Sequence, residues 1–283
     1  MRACAIIPAY DAEGSVGEII RAVHALWPER NAVFVVDDGS RDRTAEVARE
    51  AGARLVVLPR NRGKGAALRA GMAEALAAGF DVAVTLDADG QHPADEARRL
   101  LDVSPDPEAL VLGVRDLAGA GAPRKNRFSN GISNFFLSLF ARRRLLDTQC
   151  GLRRYPLART LDLDGEDPGY AYEAEIILRA IAAGVPLVEE TVRVLYPPEG
   201  ERVTHFDSIR DPARIIRRVL GTLVVTRGVR HMPPPSTVHA SPSTQASQAT
   251  KAEPAARPAR PAASAPHAGS APVGEGHPGV SAP

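Results

Sequence analysis

Short β-rich runs alternate with helical patterns along the N-terminal part of the chain, and this alternation constrains the fold more than any other feature. The strand-like runs lie at residues 3–7, 33–36, 55–58 and 82–86. Runs of branched apolar residues that are separated by helices are typical of buried strands in a largely parallel sheet. The sequence therefore predicts an α/β fold with a mostly parallel central sheet flanked by helices.

The segments between these runs carry helix signals. Ser15 and Glu18 have the spacing of a capping box, and apolar residues at helical intervals follow them. A second helix is predicted over residues 44–51, and a third begins after the glycine-flanked Lys64 and ends near Gly79. Each of the first three strands is thus followed by a helix.

The C-terminal part has a different composition. After Met232 the chain consists largely of Pro, Ala, Ser, Thr and His, and such a segment cannot bury enough apolar surface to offset the entropy cost of ordering. The sequence therefore predicts one folded domain over residues 1–232 and a disordered tail over residues 233–283. The formal net charge of +1 gives no general attraction to nucleic acid, so no nucleic-acid partner is expected.

Cysteine usage and apolar runs bear on the compartment. The two cysteines, Cys4 and Cys150, suit a reducing compartment better than a disulfide framework, although a single bridge is an open alternative. The apolar run at residues 3–7 is stopped by Pro8 and is too short for a signal peptide, and no stretch approaches the roughly 20 apolar residues that span a bilayer. We therefore expect a cytoplasmic protein.

Polar motifs follow three of the predicted strands. They are Pro-Ala-Tyr-Asp at residues 8–11, Asp-Asp-Gly-Ser at 37–40 and Asp-Ala-Asp-Gly-Gln-His-Pro at 87–93. The carboxyl ends of parallel strands meet at one edge of a sheet, which is where such folds bind ligands. The three motifs therefore predict one shared binding site.

The third motif is a candidate metal site. Asp87 and Asp89 can both face a cleft where the chain turns, Gln91 can add an oxygen, and such oxygen ligands suit Mg²⁺ or Mn²⁺. A metal there would bridge the two phosphates of a nucleotide sugar. An isolated Asp-x-Asp is usually only a solvated turn, but its position after a fully apolar strand favours the metal site.

Other polar residues have two interpretations each. Asp38 is expected to bind a nucleotide, and the alternative is that it only stabilises a turn. Lys64 could bind a phosphate or could lie in a merely flexible connection. Glu173 and Glu175 stand at the start of a predicted helix, where one of them could face an acceptor or both could simply interact with the helix dipole. The basic segment around Arg202 and His205 could bind a phosphate, although a lone histidine is more often only packed or exposed.

Taken in order, the motifs of residues 8–10, 37–40, 61–65 and 87–93 resemble those of family 2 glycosyltransferases of the GT-A fold, which have a Rossmann-like sheet. The likeness covers roughly residues 3–218 and is greatest to dolichyl-phosphate mannose synthases and bacterial polyprenyl-phosphate glycosyltransferases. It implies inverting transfer of a hexose from a nucleotide diphosphate sugar to a polyprenyl phosphate or another lipid-like acceptor. A hydroxyl acceptor, for which Glu173 or Glu175 must take a proton, and a non-catalytic nucleotide-sugar-binding protein are the alternatives.

The motifs and the resemblance together assign roles to individual residues. Glu13 substitutes for a glutamate that the family places closer to the first motif, and Arg115 resembles an arginine near the sugar phosphate. The predicted catalytic residues are Asp89, Glu175 and Arg115. The predicted acceptor or phosphate contacts are Glu173, Arg202 and His205. The predicted metal ligands are Asp87, Asp89 and Gln91. The predicted donor-binding residues are Pro8, Ala9, Tyr10, Glu13, Asp38, Lys64, Asp87 and Ala88.

An aromatic segment at residues 128–140 lies between arginines, and a second basic helix is predicted over residues 211–230. Aromatic side chains with flanking arginines favour a membrane interface, whereas a core helix with solvated ends is the alternative. We expect a peripheral position on the inner face of the cytoplasmic membrane, where the aromatic segment would guide a lipid-linked acceptor to the site.

Overall fold

The predicted alternation of strands and helices forms a seven-stranded sheet in the order β3-β2-β1-β4-β6-β5-β7. Strand β6 is antiparallel to both of its neighbours, and the other pairings are parallel. The prediction of a mostly parallel central sheet flanked by helices is therefore confirmed. The strands are β1 (Ala3–Ala9), β2 (Val33–Asp37), β3 (Arg54–Val57), β4 (Val82–Thr85), β5 (Leu110–Arg115), β6 (Arg153–Pro156) and β7 (Leu187–Val192).

In the described part of the chain, helices connect successive strands. They are α1 (Val16–Leu26), α2 (Thr44–Glu50), α3 (Lys64–Ala77), α4 (Ala94–Asp102), α5 (Arg124–Ala141), α6 (Leu157–Asp162) and α7 (Ala171–Ala182). This computed structural model describes residues 1–195 except 28, 30, 31 and 118, and leaves out the side chain of residue 125. Arg202, His205, the helix predicted over 211–230 and the tail predicted over 233–283 lie outside the described residues.

The centre of the sheet is largely apolar and buried. All residues of β2 and β4 are buried, and in β1 only Ala3 and Pro8 are partly exposed. Branched side chains suit both faces of a covered parallel strand. On the flank, the rings of Phe34 and Phe80 meet edge to face at 5.6 Å between centroids. This contact joins the start of β2 to the segment just before β4.

The carboxyl ends of β1, β2 and β4 meet at one edge, as the motifs predict. Ala9 pairs with Asp37 in the parallel register, and the amide of Asp38 donates to the carbonyl of Ala9 at 2.8 Å. The amide of Leu86 donates to the carbonyl of Ile6 at 3.1 Å. Because β6 runs the opposite way, the residues just before it reach this same edge.

The start of α1 differs from the capping-box prediction. Helix α1 begins after Ser15, but the Ser15 side chain makes no capping hydrogen bond. Its hydroxyl instead donates to the carbonyl of Ala88 at 2.6 Å. The prediction is wrong because a tertiary partner competes with the helix end for this hydroxyl. Ser15 thereby ties α1 to the loop that carries Asp87 and Asp89.

Cys4 and Cys150 are both buried free thiols. Burial raises the pKa of Cys150 to about 12 and raises that of Cys4 as well, so little reactive thiolate exists near pH 7. We expect the native protein to react with a thiol reagent at least about a hundred times more slowly than the unfolded chain. Stopped-flow labelling before and after denaturation measures this ratio, and rapid labelling of the native protein would contradict the buried placement.

Candidate active site

A cavity of about 720 Å³ opens at the edge where β1, β2 and β4 end. Its wall is completed by the end of β5, the start of α3, the inner face of α5 and the start of α7. The structure brings most of the predicted site residues together here. Those that line the cavity are Pro8, Ala9, Tyr10, Asp38, Lys64, Asp87, Ala88, Asp89, Gln91, Arg115 and Glu173.

Asp87 lies two residues after the end of β4, against the backbone of Gly151. A Cβ atom at position 151 would stand 2.2 Å from the Asp87 carboxylate, so the absence of a side chain there makes room for it. The Lys64 ammonium lies 2.7 Å from Asp87 Oδ1. Burial alone would raise the pKa of Asp87, but the ammonium and the nearby His92 hold it below its usual value. Asp87 is therefore an ionised carboxylate in the cavity wall.

Asp89 has a different electrostatic setting. Its Oδ1 accepts a hydrogen bond from the amide of Gln91 at 2.9 Å. Burial and the negative charge of Asp87 raise the pKa of Asp89 to about 6. The two carboxylates thus repel one another, and a positive charge between them would relieve that repulsion.

The donor set of this loop fits a hard divalent cation. Asp87, Asp89 and Gln91 offer oxygen atoms to one cavity. Within residues 1–195, apart from the omitted positions, no three His, Cys, Asp or Glu side chains are grouped to hold a metal ion by themselves. Mg²⁺ generally takes one or two carboxylates and completes its shell with phosphate oxygens and water, so this small set is sufficient.

Lys64 is the first residue of α3 and joins two parts of the cavity wall. Its ammonium lies 2.9 Å from Glu173 Oε2 as well as 2.7 Å from Asp87, and 5.9 Å from the centre of the Tyr170 ring. The flanking glycines allow this position. A Cβ atom at residue 63 would stand 2.5 Å from the carbonyl oxygen of Pro168, and residue 63 has a φ of 95°, which favours glycine.

Arg115 is held in place by Asp147. Two hydrogen bonds join the guanidinium to the carboxylate, at 2.7 and 3.1 Å, and the Arg115 amide donates to the same carboxylate at 3.1 Å. Asp147 also accepts from the amide of Gln149 at 3.1 Å. A paired, rigid guanidinium is thereby presented to the cavity.

The second motif serves as both wall and support. The Asp38 carboxylate accepts hydrogen bonds from the amides of Arg62 and Gly63, at 2.8 and 2.7 Å. It therefore shapes the loop that leads to Lys64, while also lining the cavity. Asp38 thus stabilises the backbone of a neighbouring loop and also lies at the predicted site, so its two interpretations do not exclude one another.

Glu13 and Glu175 are predicted site residues that do not line the cavity. Glu13 Oε2 accepts from the amide of Arg43 at 2.9 Å, and Asp11 lines the cavity in its stead. The fully buried Glu175 carboxylate receives the Arg179 guanidinium at 2.8 Å and the amide of Asp167 at 2.9 Å. Its placement in the cavity is thus corrected, because helix geometry points Glu173 toward the site and Glu175 into the interior.

Helix α5 has two unlike faces. The inner face is polar: Ser133 lines the cavity and accepts from Gln149 Nε2 at 2.8 Å, and Asn134 Oδ1 accepts from the amide of Thr148 at 2.9 Å. The outer face exposes large apolar side chains, with Phe128 73%, Phe135 65% and Leu139 60% exposed. Helix α5 also buries Leu137 and Ala141 in the core, but these three exposed apolar side chains distinguish it from the core helix of the alternative interpretation.

Several cavity residues were given no individual role by the sequence, although Asp11 and His92 belong to the motifs that predicted the shared site. They include Asp11, Ser15, Asn61, His92, Asn126, Ser133, Thr148, Gln149 and Tyr170. A signal for two of them was present, because Asn126 and Ser133 are polar residues seven positions apart, or about two helical turns, and such residues lie on one face of a helix. Thr148, Gln149 and Tyr170 come from segments whose approach to the site has no local signature.

Known proteins resemble this chain in sequence and in fold. The polyprenol monophosphomannose synthase of Mycolicibacterium smegmatis is 33% identical over 205 residues, which are 66% of this chain and 75% of that protein. The undecaprenyl-phosphate mannosyltransferase of Micrococcus luteus is 30% identical over 212 residues, which are 71% of this chain and 86% of that protein.

A structural relative has a similar fold at lower sequence identity. The glucosyl-3-phosphoglycerate synthase of Mycobacterium tuberculosis, crystallised with Mn²⁺, uridine diphosphate and phosphoglyceric acid, superposes with a TM-score of 0.60 at 20% identity. The match covers 82% of this chain and 80% of that one. The same protein has also been crystallised with Mg²⁺ and uridine diphosphate.

The family assignment rests on a match to a family model that spans most of the strands and loops around the cavity. The model of glycosyl transferase family 2 matches residues 4–156, which run from β1 to the end of β6 and include the Asp87-Ala88-Asp89 loop. The structural relative has the same α/β architecture, as the resemblance predicted. The chain belongs to glycosyl transferase family 2 and is a glycosyltransferase of the GT-A fold.

Proposed function

We propose that this chain transfers a hexose from a nucleotide diphosphate sugar to a polyprenyl phosphate, with inversion at the anomeric carbon. The observation that carries the proposal is that one cavity has carboxylates on one wall and, on another, a helix whose opposite face is apolar and exposed. Asp87 and Asp89 line it on the sheet side, and the polar face of α5 lines it on the other, with the apolar face of the same helix exposed. Such a cavity suits a charged donor and an acceptor with a long apolar tail.

The donor half rests on the loops at the strand ends. We assign the nucleotide to the wall formed by Pro8, Ala9, Tyr10 and Asp38, and we assign the diphosphate to the region of Asp87 and Asp89. A Mg²⁺ or Mn²⁺ ion held by Asp87, Asp89 and Gln91 would supply the positive charge that stabilises the departing diphosphate. The metal-containing complexes of the structural relative support this assignment.

The acceptor half rests on the charges available in the described part of the cavity. A phosphate oxygen is already anionic, so it attacks the anomeric carbon without a general base while the bond to the diphosphate breaks. A hydroxyl acceptor would need a base, but the Glu173 carboxylate lies 2.9 Å from the Lys64 ammonium and 3.8 Å from the buried Arg153 guanidinium, which stabilises its ionised form and weakens it as a base, and Glu175 lies outside the cavity. The names of the two mannosyl-transferring relatives also support a polyprenyl phosphate.

Paired acceptors test this proposal. The purified protein is incubated with a panel of UDP- and GDP-hexoses and either a polyprenyl phosphate or the polyprenol of the same chain length, and the lipid products are analysed by mass spectrometry. We expect a glycosylated product from the phosphate alone. Transfer to the polyprenol that depends on Glu173 would support the hydroxyl alternative, and donor binding without turnover on either acceptor would support a binding protein.

We further propose that the outer face of α5 lies on the lipid surface from which the acceptor enters. None of the helices in the described part of the chain has the length and apolar content to cross a membrane. Phe128, Phe135 and Leu139 lie on one side of α5 at helical intervals, and the exposed Arg127 and Arg142 lie near them. Aromatic side chains enter the interface of a bilayer while arginines meet anionic headgroups.

Replacing Phe128 and Phe135 together by serine is expected to lower partition onto anionic vesicles by at least about tenfold, because burying one such ring contributes about 1.5–3 kcal/mol. Cosedimentation with vesicles measures the change. Leu76→Ser, at an exposed leucine on α3, is the control and is expected to leave partition unchanged. Equal partition of the double variant and the original protein would contradict a membrane role for this face.

A further inference from the structure

The Lys64 ammonium lies beside Asp87, one of the proposed metal ligands, where a bound metal ion would also supply positive charge. It bridges Asp87 Oδ1 at 2.7 Å and Glu173 Oε2 at 2.9 Å, and its side chain is only 12% exposed. We propose that Lys64 is the resident counter-ion of Asp87, and that a bound diphosphate draws the ammonium away so that the divalent metal binds tightly only together with the nucleotide. This inference rests on the proposed metal-dependent donor site.

The backbone around Lys64 is fixed, so a change of partner must involve the side chain. A Cβ atom at residue 65 would stand 2.3 Å from the carbonyl oxygen of Asp167. The amide of Ala66 donates to the carbonyl of Pro168 at 3.0 Å. Lysine has a flexible four-carbon stem with a compact charge at its end. The ammonium can therefore exchange one cavity anion for another while α3 stays in place.

The two carboxylates that share Lys64 differ in what remains when the ammonium leaves. Arg153 Nε lies 3.8 Å from Glu173 Oε1, so Glu173 retains a second cation nearby. Asp87 interacts with Asp89, whose negative charge repels it, and the Arg115 guanidinium that also acts on Asp87 is already paired with Asp147. Departure of Lys64 thus leaves the Asp87 and Asp89 pair as the more strongly negative part of the cavity, which favours a divalent ion.

Competition for Asp87 has a thermodynamic consequence. Without nucleotide, a metal ion must displace the ammonium from Asp87 and leave that ammonium in the cavity as a nearby like charge. With a diphosphate bound, the ammonium has a new partner, and this cost is removed. Binding of nucleotide and metal is therefore positively coupled, and by linkage each raises the affinity of the other by the same factor.

The test is to measure Mn²⁺ binding by electron paramagnetic resonance, with and without UDP or GDP, in the original protein and in Lys64→Met. Methionine keeps an unbranched side chain but removes the charge. We expect Lys64→Met to bind Mn²⁺ alone about tenfold more tightly or better, since unit charges about 4 Å apart interact strongly even at a protein surface. The enhancement of Mn²⁺ affinity by the nucleotide should shrink in the same variant.

Three further variants make the result specific. Lys64→Gln is a second neutral replacement, in case the methionine variant does not fold. Lys64→Arg keeps the charge and should retain weak binding of Mn²⁺ alone. Arg62→Met removes an exposed cation of the same loop and should leave Mn²⁺ binding unchanged. Unaltered or weaker binding of Mn²⁺ alone by both neutral variants would overturn the inference. Absence of Mn²⁺ binding to the original protein, even with nucleotide, would instead overturn the proposed metal site on which it rests.

Discussion

Asp89→Asn is expected to lower sugar transfer by at least about a hundredfold, because it removes one of two carboxylate charges from the proposed metal site and with it stabilisation of the departing diphosphate. Asparagine keeps the size of the side chain. Its oxygen can still accept the hydrogen bond from the Gln91 amide that Asp89 Oδ1 accepts at 2.9 Å. The loop should therefore keep its conformation while the activity is lost.

Although Asp89→Asn should lower activity, it should not lower the stability of the folded protein. The pKa of Asp89 in the folded protein is raised to about 6 by burial and by Asp87, so the folded state binds a proton more tightly than the unfolded chain. Ionisation of Asp89 at neutral pH consequently disfavours the folded state. We expect Asp89→Asn to have an equal or higher free energy of unfolding at pH 7, whereas the difference should disappear at a pH below both pKa values.

Activity and denaturant unfolding of the purified variant measure these two effects together. Asp102→Asn, at an exposed carboxylate near the end of α4, is the control and should alter neither. Transfer at the original rate by Asp89→Asn would remove Asp89 from the proposed metal site. Loss of transfer together with a large loss of stability would assign the effect to folding and contradict the prediction.

Arg153→Met is expected to lower the free energy of unfolding by about 3–5 kcal/mol, the usual cost of breaking a buried charge network. The Arg153 guanidinium is fully buried and donates to the carbonyls of Cys150, Glu173 and Thr148, each at 2.8 Å. Methionine fills part of the volume but removes the buried charge and the donors to all three carbonyls.

Urea unfolding followed by circular dichroism measures this change. Arg98→Met, at an exposed arginine of α4 that forms an ion pair with Asp102, is the matched control and should cost less than about 1 kcal/mol. A similarly small loss for Arg153→Met would show that the carbonyls find other partners. The expected large loss would identify Arg153 as the residue that joins the segment before β6 to the start of α7.

The donor side of the site was predictable because its signals are local. Strands β1 to β4 are short, largely apolar runs, and Asp87 and Asp89 stand in the loop that follows the last of them. Parallel topology then places the three polar loops at one edge. The structure brings together nearly all of the residues that this reasoning selected, with Asp11 instead of Glu13 as the difference near β1.

The other side depends on long-range pairing that the sequence does not display. Strand β6 inserts antiparallel between β4 and β5, and this brings Thr148 and Gln149 to the cavity. Glu173 and Glu175 are separated by one residue, and side chains two positions apart on a helix differ in direction by about 200°. Only the packing of α7 determines which carboxylate enters the cavity, and it is Glu173.

The face of α5 could not be assigned from its composition for a related reason. Aromatic residues are normally strong markers of burial, and the sequence of α5 is consistent with either a core or a surface helix. In the structure, hydrogen bonds from the segment before β6 to Ser133 and Asn134 turn the polar face inward. Phe128 and Phe135 are consequently exposed, which is the basis for the proposed membrane contact.

The most direct test of the central claim is to quantify nucleoside diphosphate and glycosylated lipid in one reaction, with and without Mn²⁺ and with and without polyprenyl phosphate. The account predicts that both products form in equal amounts, and only when the metal and the lipid phosphate are present together. Transfer that continues undiminished after the metal is removed with a chelator would contradict the role given to Asp87 and Asp89.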